Sequence, residues 1–262
     1  MKVVRTIAEM RAARAARGLV ALVPTMGAFH DGHVALFRAA RDECEHVVVS
    51  LFVNPTQFAP REDLERYPRD ERRDAEIAET AGVDVLFVPS RDELYPDGFD
   101  TWVDVVDAGA EGEARPGHFR GVATICLKLF NIVRPDVAYF GQKDAQQALV
   151  VRRMVRDLDL DLRLRIVPTI RDTDGLALSS RNAYLSAEER RRARALPQAL
   201  ETGRDAFRAG ADPVAATHAA LNGVEPDYVD VLELGETKLL AAAARVGSTR
   251  LIDNVILKGD LQ

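Results

Sequence analysis

At 262 residues the chain is long for one hydrophobic core and short for three domains, so two compact units are the starting expectation. Its 47% apolar and 29% charged residues exclude the disordered, collagenous and disulfide-stapled classes. With 41 acidic against 35 basic side chains the net charge is −6, so the chain as a whole does not attract nucleic acid or an anionic membrane, and any phosphate must be gathered locally.

Residues 1–10 read as amphipathic structure and not as a targeting signal, and no window approaches the ~18–20 apolar residues of a membrane span. Leu19-Val20-Ala21-Leu22-Val23, closed by Pro24, is too short for a helix and suits a first core strand. A helical pattern over 31–43 follows, with Asp31 as its N-cap, and then a strand at 47–53. Helix 70–81, strand 83–88, helix 119–133, strand 137–140, helix 144–157 and strand 162–167 continue the alternation. Such a pattern means a parallel sheet covered by helices, an α/β Rossmann-like doubly wound fold over residues 1–170.

Beyond the polar turn Arg171-Asp172-Thr173-Asp174-Gly175 the pattern changes to Arg/Ala-rich helices over 186–209 and 212–221 and strand-like segments at 228–232 and 249–257. These predict a smaller C-terminal α+β domain over 171–262, closing over the first. The run Glu188-Glu189-Arg190-Arg191-Arg192 alternates acid and base near a helix start and reads as a solvated face; 241–244 is a short alanine run. Cys44 and Cys126 belong to no Cys-x-x-Cys pair, which fits a reduced, cytoplasmic protein.

Pro24-Thr25-Met26-Gly27-Ala28-Phe29-His30-Asp31-Gly32-His33 runs from the first strand into the first helix, where a doubly wound sheet offers backbone amides and a helix dipole to an anion. Gly27 and Gly32 permit close backbone approach, and His30 and His33, three apart, can project imidazole donors to one side. A strand-to-helix turn needs glycine in any case, but two histidines with two glycines favour a phosphate site. His-x-x-His spacing also suits zinc, yet the Glu of a zinc helix and a third ligand are missing, so no metal is assigned. Gly141-Gln142-Lys143-Asp144 sits at a second strand-to-helix turn, where its backbone can reach a nucleotide and Asp144 can accept from ribose hydroxyls; ordinary capping is the plain alternative.

The decapeptide resembles the His-x-Gly-His signature of the nucleotidyltransferase superfamily and, in its longer form, the Pro-Thr-Met-Gly-x-x-His-x-Gly-His of the pantoate–β-alanine ligase family. Phe52-Val53-Asn54-Pro55-Thr56-Gln57-Phe58, Phe140-Gly141-Gln142-Lys143-Asp144-Ala145-Gln146-Gln147, Asp174-Gly175-Leu176-Ala177-Leu178-Ser179-Ser180-Arg181-Asn182 and Asp253-Asn254 match that family in order and spacing. The resemblance implies ATP-dependent condensation of pantoate with β-alanine to pantothenate through a pantoyl adenylate, releasing pyrophosphate and then AMP. Pantoate is already a carboxylate at neutral pH, so its adenylation needs alignment and charge neutralisation more than a base.

By that resemblance His30, His33, Lys143, Ser179, Ser180 and Arg181 surround the triphosphate, with His33 as proton donor. Met26, Gly27, Ala28, Phe29, Asp31, Gly32, Gly141, Gln142, Asp144 and Leu178 complete the ATP-binding positions, and Ile170 meets adenine through its backbone. Gln57 and Gln147 are carried over as pantoate contacts, neutral amides that both donate and accept. Pro24, Met26 and Phe58 would wall the gem-dimethyl group, with Arg115 and His118 beside the pocket. Magnesium accompanies ATP, bridging phosphate oxygens with few protein ligands. Asp74 matches an acidic position near that metal, but Arg73 stands where some relatives carry another acid, so Asp74 is expected to be an exposed helical residue. A homodimer is expected, and neither nucleic acid nor membrane as partner. Two rivals share the motif: a nucleotidylyltransferase acting on a phosphate acceptor, which the Asn-Pro-x-Gln-Phe block argues against, and a silent nucleotide-binding module, which retention of Lys143 and both histidines argues against.

Overall fold

The computed structural model describes residues 1–14, 18–58, 64–106, 109–234 and 236–260. Six parallel strands, β1 (Lys2–Val4), β2 (Val20–Thr25), β3 (His46–Leu51), β4 (Val85–Phe87), β5 (Val137–Gly141) and β6 (Arg163–Val167), form one sheet in the order β1-β4-β3-β2-β5-β6. Val20 to Val23 are wholly buried because helices cover both faces, which is why the central strands are unbroken apolar runs and do not alternate.

The helices divide between the faces. Helices α1 (Ile7–Ala13), α4 (Arg91–Leu94), α6 (His118–Val133) and α7 (Ala145–Asp157) bury Met10, Leu94, Val122, Leu129, Val151 and Met154 against Leu22, Val48 and Phe140. Helices α2 (Asp31–Glu43) and α3 (Glu71–Thr80) bury Phe37, Ala40 and Ala78 against Ala21, Val47 and Tyr139, the alternate residues of the same strands. The chain leaves β2 towards one face and β5 towards the other, so the carboxyl ends of these adjacent strands open a crevice at the reversal of strand order.

The smaller sheet is antiparallel, β7 (Glu225–Leu234), β8 (Thr237–Val246) and β9 (Thr249–Lys258), with helices α8 (Ala187–Ala193), α9 (Ala195–Arg208) and α10 (Pro213–Ala220). Helix α5 (Gly109–Ala114) precedes α6 in the chain and reaches β7.

Four details depart from the sequence expectation. Residues 1–10 hold the edge strand β1 before helix α1, too short for any period to show. The alanine run at 241–244 is the buried middle of β8, where small side chains let α9 come close. The predicted helix 186–209 is two helices meeting at Arg194, because Pro197 has no amide for the carbonyl one turn back. His30, not Asp31, caps α2. Among the described residues no helix is long and apolar enough to cross a membrane, and Cys44 and Cys126 are buried free thiols.

Candidate active site

The loop leaving β2 turns sharply, with Gly27 at φ +83° and Ala28, which has no glycine freedom, at φ +53°. Its amides are engaged internally. Gly27 N–H donates to Thr25 Oγ1 at 3.3 Å, and Ala28 and Phe29 N–H donate to the two carboxylate oxygens of Asp74 at 2.8 and 2.7 Å. Asp74 is therefore not an exposed helical residue: it is 2% exposed on the inward face of α3, one turn before the buried Ala78. That i, i+4 relation to an apolar position was the available signal. Burial pushes the Asp74 carboxyl up, and the two amides oppose this.

The next turn uses the histidines as caps. His30 Nδ1 accepts from Gly32 N–H at 3.2 Å, and His33 Nδ1 accepts from His30 N–H at 3.3 Å. A neutral imidazole accepting at Nδ1 carries its proton on Nε2, so both rings, 4.2 Å apart, hold an Nε2–H donor. They are neutral at pH 7: burial, followed by the Lys143 charge, takes His30 down to about 4, and burial with His30 and Lys143 takes His33 well below its ordinary value. Gly32 is required here, since a Cβ would meet the His30 ring at 2.9 Å.

Across the crevice the tight turn after β5 presents Lys143, whose Nζ lies 2.9 Å from Asp144 Oδ1. Asn254 on β9 donates Nδ2 to the carbonyls of Gln142 and Lys143 at 2.8 and 3.1 Å and accepts from Gln142 Nε2 at 3.1 Å. Its neighbour Asp253, almost fully buried, is bridged by Arg171 at 2.6 and 3.0 Å. Segment 179–184 closes the third side: Ser179 Oγ accepts from Arg181 N–H, and Ser180 Oγ donates to Ala28 O at 3.2 Å. The Ile170 carbonyl accepts from Leu178 N–H at 3.0 Å, and its side chain is exposed.

The fourth side begins at Asn54, which the sequence analysis quoted only as part of a motif. It is 1% exposed, accepts from Tyr95 OH at 3.0 Å and Thr56 Oγ1 at 2.9 Å, and donates to Gly121 O at 3.2 Å and Gln57 Oε1 at 3.1 Å. The Gln57 amide is thereby oriented with Nε2 against Met26 Sδ at 2.9 Å. Helix α6 can lie this close only because Gly121 has no side chain; a Cβ there would stand 2.5 Å from Thr56 O. Arg115 and His118 are more than a turn beside the pocket, reaching the Gln57 carbonyl at 3.3 and 2.8 Å. His118 must donate from Nδ1 to that carbonyl, leaving Nε2 to accept from Arg115 Nη1 at 3.0 Å.

These walls enclose a cleft with two lobes, of about 600 and about 200 Å³, that share Met26, Gln57, Lys143, Asp144, Gln147, Ser179 and Arg181. The smaller lobe also takes in Pro24, His30, Gly32, His33, Gly141, Ile170, Leu178 and Ser180, and the larger takes in Phe58. The structure does not bring every predicted side chain there. Phe29 is buried in the core of the α2 face, Gln142 is held by Asn254, and Asp31 is exposed.

Residues 2–256 match the family model described as pantoate-beta-alanine ligase. The chain belongs to the pantoate–β-alanine ligase family. It is 52% identical over 279 residues to a protein named pantothenate synthetase from Chloroflexus aurantiacus, covering 99% of each chain, and 52% identical to one from Roseiflexus castenholzii, covering 98% and 100%. It superposes on the crystal structure of pantothenate synthetase from Thermus thermophilus with TM-score 0.94 and 45% identity, over 99% of this chain and 100% of that one. The pantoate-beta-alanine ligase of Francisella tularensis, whose structure is complexed with beta-gamma ATP and beta-alanine, matches with TM-score 0.84 and 33% identity over 98% of both chains. The six-stranded parallel sheet with its small antiparallel companion is the fold of this family, and the enzyme activity that goes with the family is ligation of pantoate to β-alanine.

Proposed function

We propose that the cleft between β2 and β5 condenses pantoate with β-alanine in two steps, adenylation of the pantoate carboxylate by ATP and displacement of AMP by the amine. The observation that carries this is the convergence of His30, His33, Lys143, Ser180 and Arg181 with Gln57 and Gln147 on one lobe. Pantoate lies with its hydroxyls and carboxylate towards Gln57 and Gln147 and its gem-dimethyl group against Pro24, Met26 and Phe58. The carboxylate attacks the α-phosphorus, and Lys143, Arg181 and the Ser179 hydroxyl stabilise charge gathering on the phosphate oxygens, joined by the Ser180 hydroxyl when it turns from Ala28 O. Because both imidazoles are neutral, His30 and His33 serve from Nε2 as hydrogen-bond donors, and the proton-donor role of His33 becomes donation of a hydrogen bond to the phosphates. Gly141, Asp144, Ile170 and Leu178 flank the nucleoside.

In the second step β-alanine, having lost its ammonium proton, attacks the acyl carbon, and AMP leaves as a stable phosphate monoester. Closure keeps water from the activated acyl group. Magnesium bound with ATP would supply charge neutralisation on the phosphates. The residues here suit a metal carried by the nucleotide, since both Asp74 oxygens are taken by amides and Asp144 is paired with Lys143. A functional division at about residue 170, a homodimer and a cytoplasmic location, the last supported by two buried free thiols, complete the proposal. Light scattering showing a monomer at working concentration would remove the dimer.

The deciding experiment is isotope exchange. Labelled pyrophosphate should enter ATP when pantoate and magnesium are present and β-alanine is absent. Undetectable exchange alongside normal turnover, with pyrophosphate free to rebind, would replace the stepwise route with a concerted one.

A further inference from the structure

Asp74 has no assigned part in the reaction, yet it is built into the loop that carries His30. Its two oxygens each take one amide, from consecutive residues of the turn, at 2.8 and 2.7 Å. The fit is mutual: Gly27 lies so close that a Cβ on it would stand 2.9 Å from Asp74 Oδ2. Ala28 sits in the left-handed region without being glycine, a conformation that persists only where surrounding structure over-determines it. Among the described residues the other hydrogen bonds on the loop are single, from Gly27 N–H to Thr25 Oγ1 at 3.3 Å and from Ser180 Oγ to Ala28 O at 3.2 Å, while the Phe29 side chain packs into the core of the α2 face. Carboxylate acceptance of two short amide bonds is the strongest hydrogen-bond restraint on the backbone of the turn.

We propose that Asp74 is a positioning residue for adenylation, a buried anchor that sets the 27–29 backbone and so aims the His30 and His33 Nε2–H donors at the phosphates. The assignment rests on reading the cleft as the ATP site. It makes Asp74 an anchor in place of the metal ligand that an acidic residue near ATP would suggest: each oxygen already accepts a backbone N–H, and at 2% exposure the carboxylate faces the turn and does not line the cleft.

The test is Asp74→Asn, which keeps the shape but turns one acceptor into a donor facing an amide. In pantoate-dependent exchange of pyrophosphate into ATP, the folded variant should lose at least ~10-fold in kcat/KM for ATP, the scale for a small misplacement of reacting groups. KM for β-alanine in the full reaction should stay within about twofold. Raising magnesium should not restore the loss. Amide hydrogen exchange of Ala28 and Phe29 should be slow in the wild type and faster in the variant, with Leu22 and Val48 unchanged. A folded variant with wild-type kcat/KM for ATP, or full recovery at high magnesium, overturns the proposal. Should Asp74→Asn fail to fold, the wild-type measurement decides alone: Ala28 and Phe29 amides exchanging as freely as solvent-exposed ones would overturn it. Absence of exchange activity in the wild type would instead overturn the reading of the cleft.

Discussion

At the scale of single residues, the site is a case of chemistry set by hydrogen-bond direction. His30 and His33 read from sequence as imidazole donors to a triphosphate; each spends Nδ1 on a backbone amide and is too buried to charge, so Nε2–H is the donor that each keeps. On the proposed reading of the cleft, the cationic work falls to Lys143 and Arg181. Nitrogen-detected NMR should find both rings as Nε2–H tautomers, neither titrating between about pH 8 and 5.5, since the ordinary midpoint is ~6.5. The sign for stability follows: His30 charges more readily unfolded than folded, so its contribution is complete above ~6.5 and is lost as pH falls through about 4. A normal titration of either ring near pH 6.5 would contradict this. Lys143→Ala should lower adenylation by at least ~10²-fold with little change in Tm, the scale for one transition-state donor. A sharp fall in Tm would instead make Lys143 structural.

At the scale of elements, legibility followed apolar continuity. Strands β2, β3 and β5 were readable because strands covered on both faces are short apolar runs ended by Pro, Asn or Gly. Strand β8 was not, because alanine carries little strand preference and its burial is decided by α9 lying on it. Strand β9 delivers Asn254 to the Lys143 turn, a contact 111 residues apart in sequence. Asn254→Ala would strip partners from the buried Gln142 carbonyl and the part-buried Lys143 carbonyl, so we expect a loss of about 1–3 kcal/mol in urea unfolding. Exchange of pyrophosphate into ATP should slow with it as the turn loses its register. Lost stability with undiminished exchange would show that the pin does not act on Lys143.

At the scale of the whole molecule, buried charge joins helix α5 to the smaller sheet. Glu111 on α5 meets Arg250 on β9 in a double hydrogen bond of 2.8 and 2.8 Å, and Arg115 and Asp227 extend it. Burial pushes the Glu111 carboxyl up, but the Arg250 bonds and charge, with Arg115, outweigh it and hold it below its ordinary value. Its stabilisation is therefore present above the unfolded carboxyl range and is lost as pH falls through the lowered folded value. Glu111→Gln should cost about 3 kcal/mol at pH 7, the lower end for removing one partner of a buried pair. It should also flatten the acid limb of stability against pH, and an unchanged acid limb in urea titrations would rule out this role.

What the sequence determined by itself was the order of elements and the chemistry of the turns between them. Strand composition, the glycines of the first turn and the Lys143 motif are local properties, and local propensity needs no partner to be read. What only the tertiary structure decided was direction: which histidine nitrogen is spent on the backbone, that the Asp74 carboxylate meets the Ala28 and Phe29 amides, that Asn54 aligns Gln57, and that Asn254 reaches Lys143. Each depends on a donor and an acceptor brought together from elements distant in sequence, or on burial that excludes the competing water. Neither distance nor burial is written in a residue's own neighbourhood.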